Sequence, residues 1–335
     1  MRSLVVRLDS FGDVLLAGPA VRAVAARSSR VTLLCGPLGA PAARLLPGVD
    51  EVLEWAAPWE GFDPPSVARA DVEGLVRRLR AAAFDCALVL TSFHQSPLPA
   101  ALLLRLAGVA RIGADSADHP GSLLDVRHRR LPGRHEAEAA LDTAAALGFP
   151  PPPGDDGRLR VLPPPDTVAL TGNGPYVVLH PGASAPSRAW GPERCERAVE
   201  SLGDEGYRVV VTGGPGEADL TRLVSGDTAV DLGGRTTPRT LAGVLRSADA
   251  VVCGNTGPAH LAAAVGTPVV SLFSPVVPAE RWAPYGVPSV LLGEQDAPCA
   301  GSRALRCPVP GHPCLDAITA QDVVSAVRKL IEESP

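Results

Sequence analysis

Two places in the chain combine residue type and spacing in a way that suggests chemistry: the turn Gly254-Asn255-Thr256-Gly257 and the carboxylate Asp13. The turn interrupts an apolar run, Ala250 to Cys253. It opens a small-residue helix from about Pro258 to Val265, and a second apolar run, Val269 to Phe273, follows. Strand, glycine turn, helix, strand leaves free backbone N–H groups at a helix start, with the Thr256 hydroxyl and the His260 imidazole beside them. Orphan amides and the helix dipole both favour negative charge, so such a turn can hold phosphate without a metal. An ordinary tight turn whose glycines only relieve backbone strain accounts for the same residues.

Asp13 follows the first apolar run. Leu4-Val5-Val6-Arg7-Leu8 reads as a buried strand, Asp9-Ser10-Phe11-Gly12-Asp13 as a turn, and Val14 to Ala26 as a helix with Pro19 in its first half. Open α/β sheets place ligands and catalytic groups at such carboxyl ends of strands. A carboxylate there can serve as a general base, yet by propensity alone Asp13 is better read as a helix N-cap. Asp9 is the rival carboxylate in the same turn.

Three later segments extend the list. His180-Pro181-Gly182-Ala183-Ser184-Ala185-Pro186-Ser187-Arg188-Ala189-Trp190 links a strand to a helix starting at Pro192. Arg188 is a forked, permanent cation suited to a departing diphosphate, and Ser184 can add a neutral hydrogen bond. The competing reading stacks Arg188 on Trp190 in a surface loop. In Thr212-Gly213-Gly214-Pro215-Gly216-Glu217, Glu217 can accept from ribose hydroxyls, or simply favour the helix dipole in a first turn. Cys299, Cys307, Cys314 and His312 invite zinc, but their spacings exceed those of ordinary structural sites, so plain thiols are the default.

The surrounding elements are those of an α/β chain of 335 residues, long enough for two domains. Strands are expected near 3–8, 31–35, 51–53, 86–91 and 110–113, then near 176–180, 207–212, 228–232, 250–253, 268–273 and 289–292. Helices are expected near 14–27, 38–46, 66–83, 98–107 and 135–147, then near 192–203, 216–225, 237–247, 257–265 and 319–332. A proline- and glycine-rich stretch over 150–175 reads as the linker, or as a linker containing one short strand from Arg158 to Leu162.

Composition removes several classes. The only lysine is Lys329, so neither a P-loop nor a pyridoxal Schiff base is available. The first 165 residues carry 18 Arg against 18 acids, and the remainder carries 13 Lys and Arg against 18 acids, so nucleic acid is not an expected partner. No apolar run reaches the roughly 18 residues that span a bilayer, and the first strand starts with no signal-like apolar region ahead of it. Seven scattered cysteines argue against a disulfide framework. A cytoplasmic protein is expected.

Several of these segments, in this order, resemble glycosyltransferase family 9, the heptosyltransferases that move a heptose from an ADP-sugar onto a lipid-linked saccharide. They are Arg7-Leu8-Asp9-Ser10-Phe11-Gly12-Asp13-Val14-Leu15-Leu16, Arg111-Ile112-Gly113, His180-Pro181-Gly182-Ala183-Ser184, Gly213-Gly214-Pro215-Gly216-Glu217 and Gly254-Asn255-Thr256-Gly257-Pro258-Ala259-His260-Leu261-Ala262. The resemblance runs over nearly the whole length. It implies a GT-B fold, two Rossmann-like domains with parallel sheets facing across a cleft. The acceptor would lie on residues 1–165 and the nucleotide sugar on 170–335, with the last helix packing back toward the first domain. It also implies an inverting transfer with no metal and no cofactor, only an ADP-linked donor.

By that resemblance Asp13 is the general base, and Ser184, Arg188, Thr256 and Gly257 stabilise the diphosphate. Glu217 holds the ribose, while Asn255 and His260 face the sugar. Two positions depart from the family: Asn255 stands where Asp is common, and Arg188 where lysine is frequent. The implied acceptor is a glycan or lipid-linked saccharide, with peripheral contact at the inner face of the cytoplasmic membrane and a monomer as the default state. Phe93, Leu98, Leu102 to Leu104, Arg105 and Arg127 to Arg130 fit an amphiphilic substrate, and fit a solvated face nearly as well. The alternatives are a nucleotide-sugar epimerase of similar architecture, for which His94, His119 and His180 are loose acid–base candidates, and a non-catalytic nucleotide-sugar-binding protein. A dehydrogenase is disfavoured, because the first turn lacks G-x-G-x-x-G and puts a carboxylate where pyrophosphate would sit.

Overall fold

Strands that read as unbroken apolar runs, with no polar alternation, belong in parallel sheets covered on both faces. The computed structural model describes residues 1–333, and its strands form two parallel sheets of six. The chain divides into two units, Met1–Leu162 and Pro163–Pro335.

In the first unit the strands are β1 (Arg2–Arg7), β2 (Arg30–Cys35), β3 (Glu51–Glu54), β4 (Cys86–Val89), β5 (Arg111–Asp115) and β6 (Val126–His128). The helices are α1 (Phe11–Leu16), α2 (Gly18–Ala25), α3 (Ala40–Ala43), α4 (Arg69–Ala82), α5 (Leu98–Ala107) and α6 (Glu136–Ala146). The sheet order is β3-β2-β1-β4-β5-β6. That is the doubly wound order, in which the direction of winding reverses between β1 and β4. Leu4, Val6, Ala87, Val89 and Ile112 fill one core between this sheet and its helices.

The second unit repeats the plan. Its strands are β7 (Val177–His180), β8 (Val209–Gly213), β9 (Val230–Gly233), β10 (Ala250–Gly254), β11 (Val269–Leu272) and β12 (Ser289–Leu292), in the order β12-β11-β10-β7-β8-β9. The helices are α7 (Val168–Thr171), α8 (Pro192–Asp204), α9 (Ala218–Ser225), α10 (Pro238–Arg246), α11 (Gly257–Val265), α12 (Ala279–Trp282), α13 (Pro313–Asp316) and α14 (Ala320–Glu332). Here the reversal falls between β7 and β10, which pair in register with His180 opposite Cys253. The apolar face of α14 (Val323, Val324, Val327 and Leu330) joins the core of this unit beside α8.

Most expected elements form within a few residues of their anticipated limits. The single helix expected over 14–27 is instead two. The first, α1, starts at Phe11, and α2 starts at Gly18 with Pro19 in its first turn, where the missing N–H is harmless. Of the two readings of the linker, the one without a strand at Arg158–Leu162 holds; that segment is irregular. It is tied down by side-chain and backbone bonds rather than by a sheet: Arg22 donates to Arg158 O, and Leu162 N–H donates to Leu45 O. Arg22 also grips Asp155 with two hydrogen bonds, at 2.7 and 2.8 Å, and these bonds hold that carboxyl down at about 2. The edge strand β6 was not anticipated, because three residues carry too little pattern to read.

Candidate active site

The carboxyl ends of β1 and β4 meet at the winding reversal of the first sheet, and the polar residues of this unit converge there. Ser10 is the N-cap of α1, in extended conformation, which places Asp13 at the third helical position rather than at the cap. The N-cap reading of Asp13 is therefore corrected. Ser10 Oγ instead donates to Asp13 Oδ2 at 2.7 Å, and Arg7 Nη2 donates to Asp13 Oδ1 at 3.2 Å.

Arg7 ends β1 as a charged residue inside an apolar strand, with its side chain only 3% exposed. It also meets Asp9 Oδ2 at 3.0 Å and Ser92 Oγ at 2.9 Å, and Glu136 Oε2 lies 3.9 Å away. Arg130 pairs with Glu136 and with Asp115. Four carboxylates thus share two guanidinium groups. Burial drives the Asp9 and Glu136 carboxyls above their ordinary range, with the arginines opposing that rise. The two carboxylates of the first turn differ in access: Asp13 is 18% exposed and Asp9 only 6%. Asp13 is the more accessible of the two. Ser92, Glu136 and Asp115 carry no signal in the sequence. Arg130, read there as part of a basic run for an amphiphilic substrate or a solvated face, is instead paired with Asp115 and Glu136. The one pointer to the cluster is the arginine in the apolar first strand.

In the second unit the loops after β7 and β10 lie side by side at the other reversal. A Cβ on Gly254 would stand 2.9 Å from the Arg188 carbonyl oxygen, so the Arg188 loop packs directly on the end of β10. Pro186–Arg188 form one turn of 3-10 helix, and Arg188 is half-buried. Trp190 does not stack under it. The indole is 4% exposed in the core and donates to Leu315 O at 3.1 Å, because so large an apolar surface is better buried than laid on a loop.

The cysteine-rich segment braces this turn from behind. Ser187 Oγ donates to Ala304 O at 2.6 Å, and its N–H donates to Leu305 O. His312 Nε2 meets Ser187 O at 3.0 Å. Cys299 and Cys314 are buried, Cys307 is half-buried, and all three are free thiols. Burial pushes the Cys314 thiol up to about 11. No group of three or more His, Cys, Asp or Glu side chains is placed to hold a metal ion among the described residues.

Thr256 is the N-cap of α11, extended at φ −142° and ψ 176°, and its hydroxyl caps no backbone N–H. Gly257 is the first helical residue and Pro258 removes one donor from the turn. His260, in the same first turn, is 5% exposed. Asn255 is equally buried; its Nδ2 reaches Ser274 O at 3.4 Å, while its Oδ1 accepts no hydrogen bond. Ser184 is exposed on the loop after β7.

Glu217 lies beside the same loop. Its Oε2 accepts from Gly214 N–H at 2.7 Å, and a Cβ on Gly182 would stand 2.0 Å from its Oε1. His180 is bonded to Thr212 Oγ1 at 3.0 Å, with Glu217 Oε2 at 3.9 Å; burial lowers its proton affinity, so the neutral imidazole is favoured. Gly182 is glycine because the Glu217 carboxylate occupies the place of its side chain. We therefore expect Gly182→Ala to fold normally and to swing Glu217 away. If Glu217 is the ribose acceptor that the resemblance implies, ADP should then bind about tenfold more weakly, the scale of one lost charge-assisted hydrogen bond. Calorimetric titration of ADP into Gly182→Ala, beside a thermal melt, checks this; unchanged affinity would remove Glu217 from the nucleotide site.

The structure thus gathers Arg188, Asn255, Thr256, Gly257, His260, Glu217 and Ser184 around the ends of β7, β8 and β10 in the second unit, and sets Asp13 at the end of β1 in the first. Residues 72–311 match glycosyltransferase family 9 (heptosyltransferase). Lipopolysaccharide heptosyltransferase 1 of Pseudomonas aeruginosa is 30% identical, over 90% of this chain and 85% of that protein. Lipopolysaccharide heptosyltransferase 3 of Escherichia coli is also 30% identical over a shorter stretch, 48% of each, so the chain spans about half the length of that relative. Among solved structures, the E. coli ADP-heptose LPS heptosyltransferase II superposes with a TM-score of 0.75 at 20% identity, covering 100% of both chains. The E. coli heptosyltransferase WaaC with ADP-2-deoxy-2-fluoro heptose gives 0.71 at 21% identity, over 98% of this chain and 99% of that one. The shared fold is GT-B, two Rossmann-like units on one chain, as the sequence resemblance implied. The chain belongs to glycosyltransferase family 9 and is a homologue of the lipopolysaccharide heptosyltransferases.

Proposed function

We propose that the protein is an inverting glycosyltransferase that moves a heptose-class sugar from an ADP-linked donor to a hydroxyl of a saccharide or lipid-linked saccharide. The observation that carries this reading is the packing of the Arg188 loop on Gly254. It brings the Arg188 backbone beside the strand-end turn that carries Thr256 and the start of α11. A diphosphate is the anion that such a turn accommodates. Two solved relatives, one an ADP-heptose LPS heptosyltransferase and one holding ADP-2-deoxy-2-fluoro heptose, support the same donor.

In this reading Asp13 takes the proton from the acceptor hydroxyl as its oxygen attacks the anomeric carbon. The bond from that carbon to the diphosphate breaks from the opposite face, and ADP leaves with the electron pair. Arg188, Ser184, Thr256 and the Gly257 N–H take up the charge that develops on the diphosphate, so no metal is required. Glu217 accepts from the ribose hydroxyls. Asn255 Oδ1, a buried acceptor with no bond of its own, and His260 receive the sugar. The protein works in the cytoplasm, as a monomer, at the inner face of the membrane that carries its acceptor. No helix among the described residues is long and apolar enough to cross that membrane.

Thermal stabilisation by ADP, UDP, GDP and CDP, each with and without EDTA, tests the donor. ADP alone should stabilise, by about 2.7 kcal/mol at 100 times its dissociation constant, and EDTA should change nothing. A preference for another base would overturn the ADP assignment. Loss of the effect in EDTA would overturn metal independence.

A further inference from the structure

The first turn carries a second carboxylate that the proposed reaction does not use. Asp9 is buried behind Asp13, and both bond the same nitrogen: Arg7 Nη2 stands 3.0 Å from Asp9 Oδ2 and 3.2 Å from Asp13 Oδ1. Ser92 closes the arrangement. Its hydroxyl accepts from Arg7 Nη2 at 2.9 Å and donates to Asp9 Oδ2 at 2.9 Å, which fixes the direction of both bonds. We infer that Asp9 is a positioning residue that sets the basicity of Asp13 by competing with it for Arg7, an inference that rests on Asp13 being the base.

The physical argument concerns how one positive charge is divided. When Asp9 is ionised it draws on the Arg7 guanidinium and adds a like charge near Asp13, and both effects make Asp13 hold a proton more tightly. When Asp9 is neutral, Arg7 belongs to Asp13, which becomes the weaker base. The other charged groups around the pair come from separate elements. Glu60, held by Gln95 from the loop after β4, faces Asp9 and raises its proton affinity. Glu136 of α6 lies 3.9 Å from the same Arg7 nitrogen, with its own charge shared by Arg130. Burial lifts the Asp9 carboxyl well above the usual carboxylate range, so Asp9 ionises at higher pH than an ordinary carboxylate, and Asp13 becomes the stronger base only above that point.

The test is the pH dependence of transfer at saturating ADP-sugar, for the full chain and for Asp9→Asn, Ser92→Ala and Asp13→Asn. Asp9→Asn keeps the shape and removes the charge. The rise in rate that accompanies Asp9 ionisation should disappear, leaving a plateau a few-fold lower, because Asp13 then keeps Arg7 to itself at every pH and pulls less. Ser92→Ala removes the hydrogen bond that favours ionised Asp9, so the same rise should move to higher pH. ADP-induced thermal stabilisation reports that each variant is folded, and if Asp9→Asn does not fold, Ser92→Ala decides alone. A pH profile of unchanged shape, with the rate lowered uniformly, would make Asp9 merely structural and overturn the inference. Full activity in Asp13→Asn would instead overturn the assignment of the base.

Discussion

Asp13→Asn is expected to slow transfer by about 10²–10⁴-fold, the range associated with loss of a general base, while leaving ADP binding unchanged. The substitution is nearly isosteric, so the amide oxygen can still receive Ser10 Oγ or Arg7 Nη2, which now bond the two carboxylate oxygens at 2.7 and 3.2 Å. What disappears is an anionic oxygen able to take the acceptor proton. Asp13 belongs to the first unit and the proposed diphosphate residues to the second, so donor affinity should be untouched. Initial rates with ADP-heptose and a lipid-linked saccharide, alongside an ADP titration, separate the two quantities. A variant that transfers within about threefold of the parent would leave the reaction without its base, and the carboxylate behind it, Asp9, would become the next candidate.

Arg188→Ala carries the second-largest effect. The diphosphate gains charge as the glycosidic bond breaks, so a cation placed on it stabilises the transition state more than the ground state. Removing that cation should lower kcat by about 10²–10³-fold, comparable to losing a donor that stabilises developing negative charge. Arg188→Lys should recover part of the loss, since a point charge replaces the fork without its paired geometry. The surrounding turn should survive both changes. Ser187 is anchored to Ala304 and Leu305 through its hydroxyl and amide, independently of the Arg188 side chain. If ADP affinity falls while kcat holds, Arg188 serves ground-state binding alone and the account of leaving-group stabilisation fails.

The departures from the family pattern gain a physical meaning here. An Asp at position 255 would need its charge compensated in a buried turn, whereas Asn255 satisfies one end on Ser274 O and leaves a neutral acceptor. Arg188 in place of lysine suits a loop whose backbone is pressed against Gly254, because a planar fork loses less freedom per hydrogen bond when its base is fixed.

Apolar runs, glycine turns and proline boundaries were enough to read two α/β halves, α11 within a residue of its limits, and the strand ends where the site residues lie. These signals are local, since burial on both faces of a parallel sheet demands continuous apolar segments and a helix start needs an N-cap. The sheet order was not readable, because strand adjacency is decided by packing over the whole unit. Only the tertiary structure put β1 beside β4 and β7 beside β10. That adjacency brought Ser92 to Asp9 across 83 positions of sequence and Glu136 and Arg130 to the Arg7 cluster, and it showed which carboxylate of the first turn is exposed. It also turned Trp190 into the core and set Glu217 over Gly182. Sequence by itself determined which residues could do chemistry; the meeting of distant strand ends decided which of them share a charge, because electrostatic coupling acts through a few ångströms of space whatever the separation along the chain.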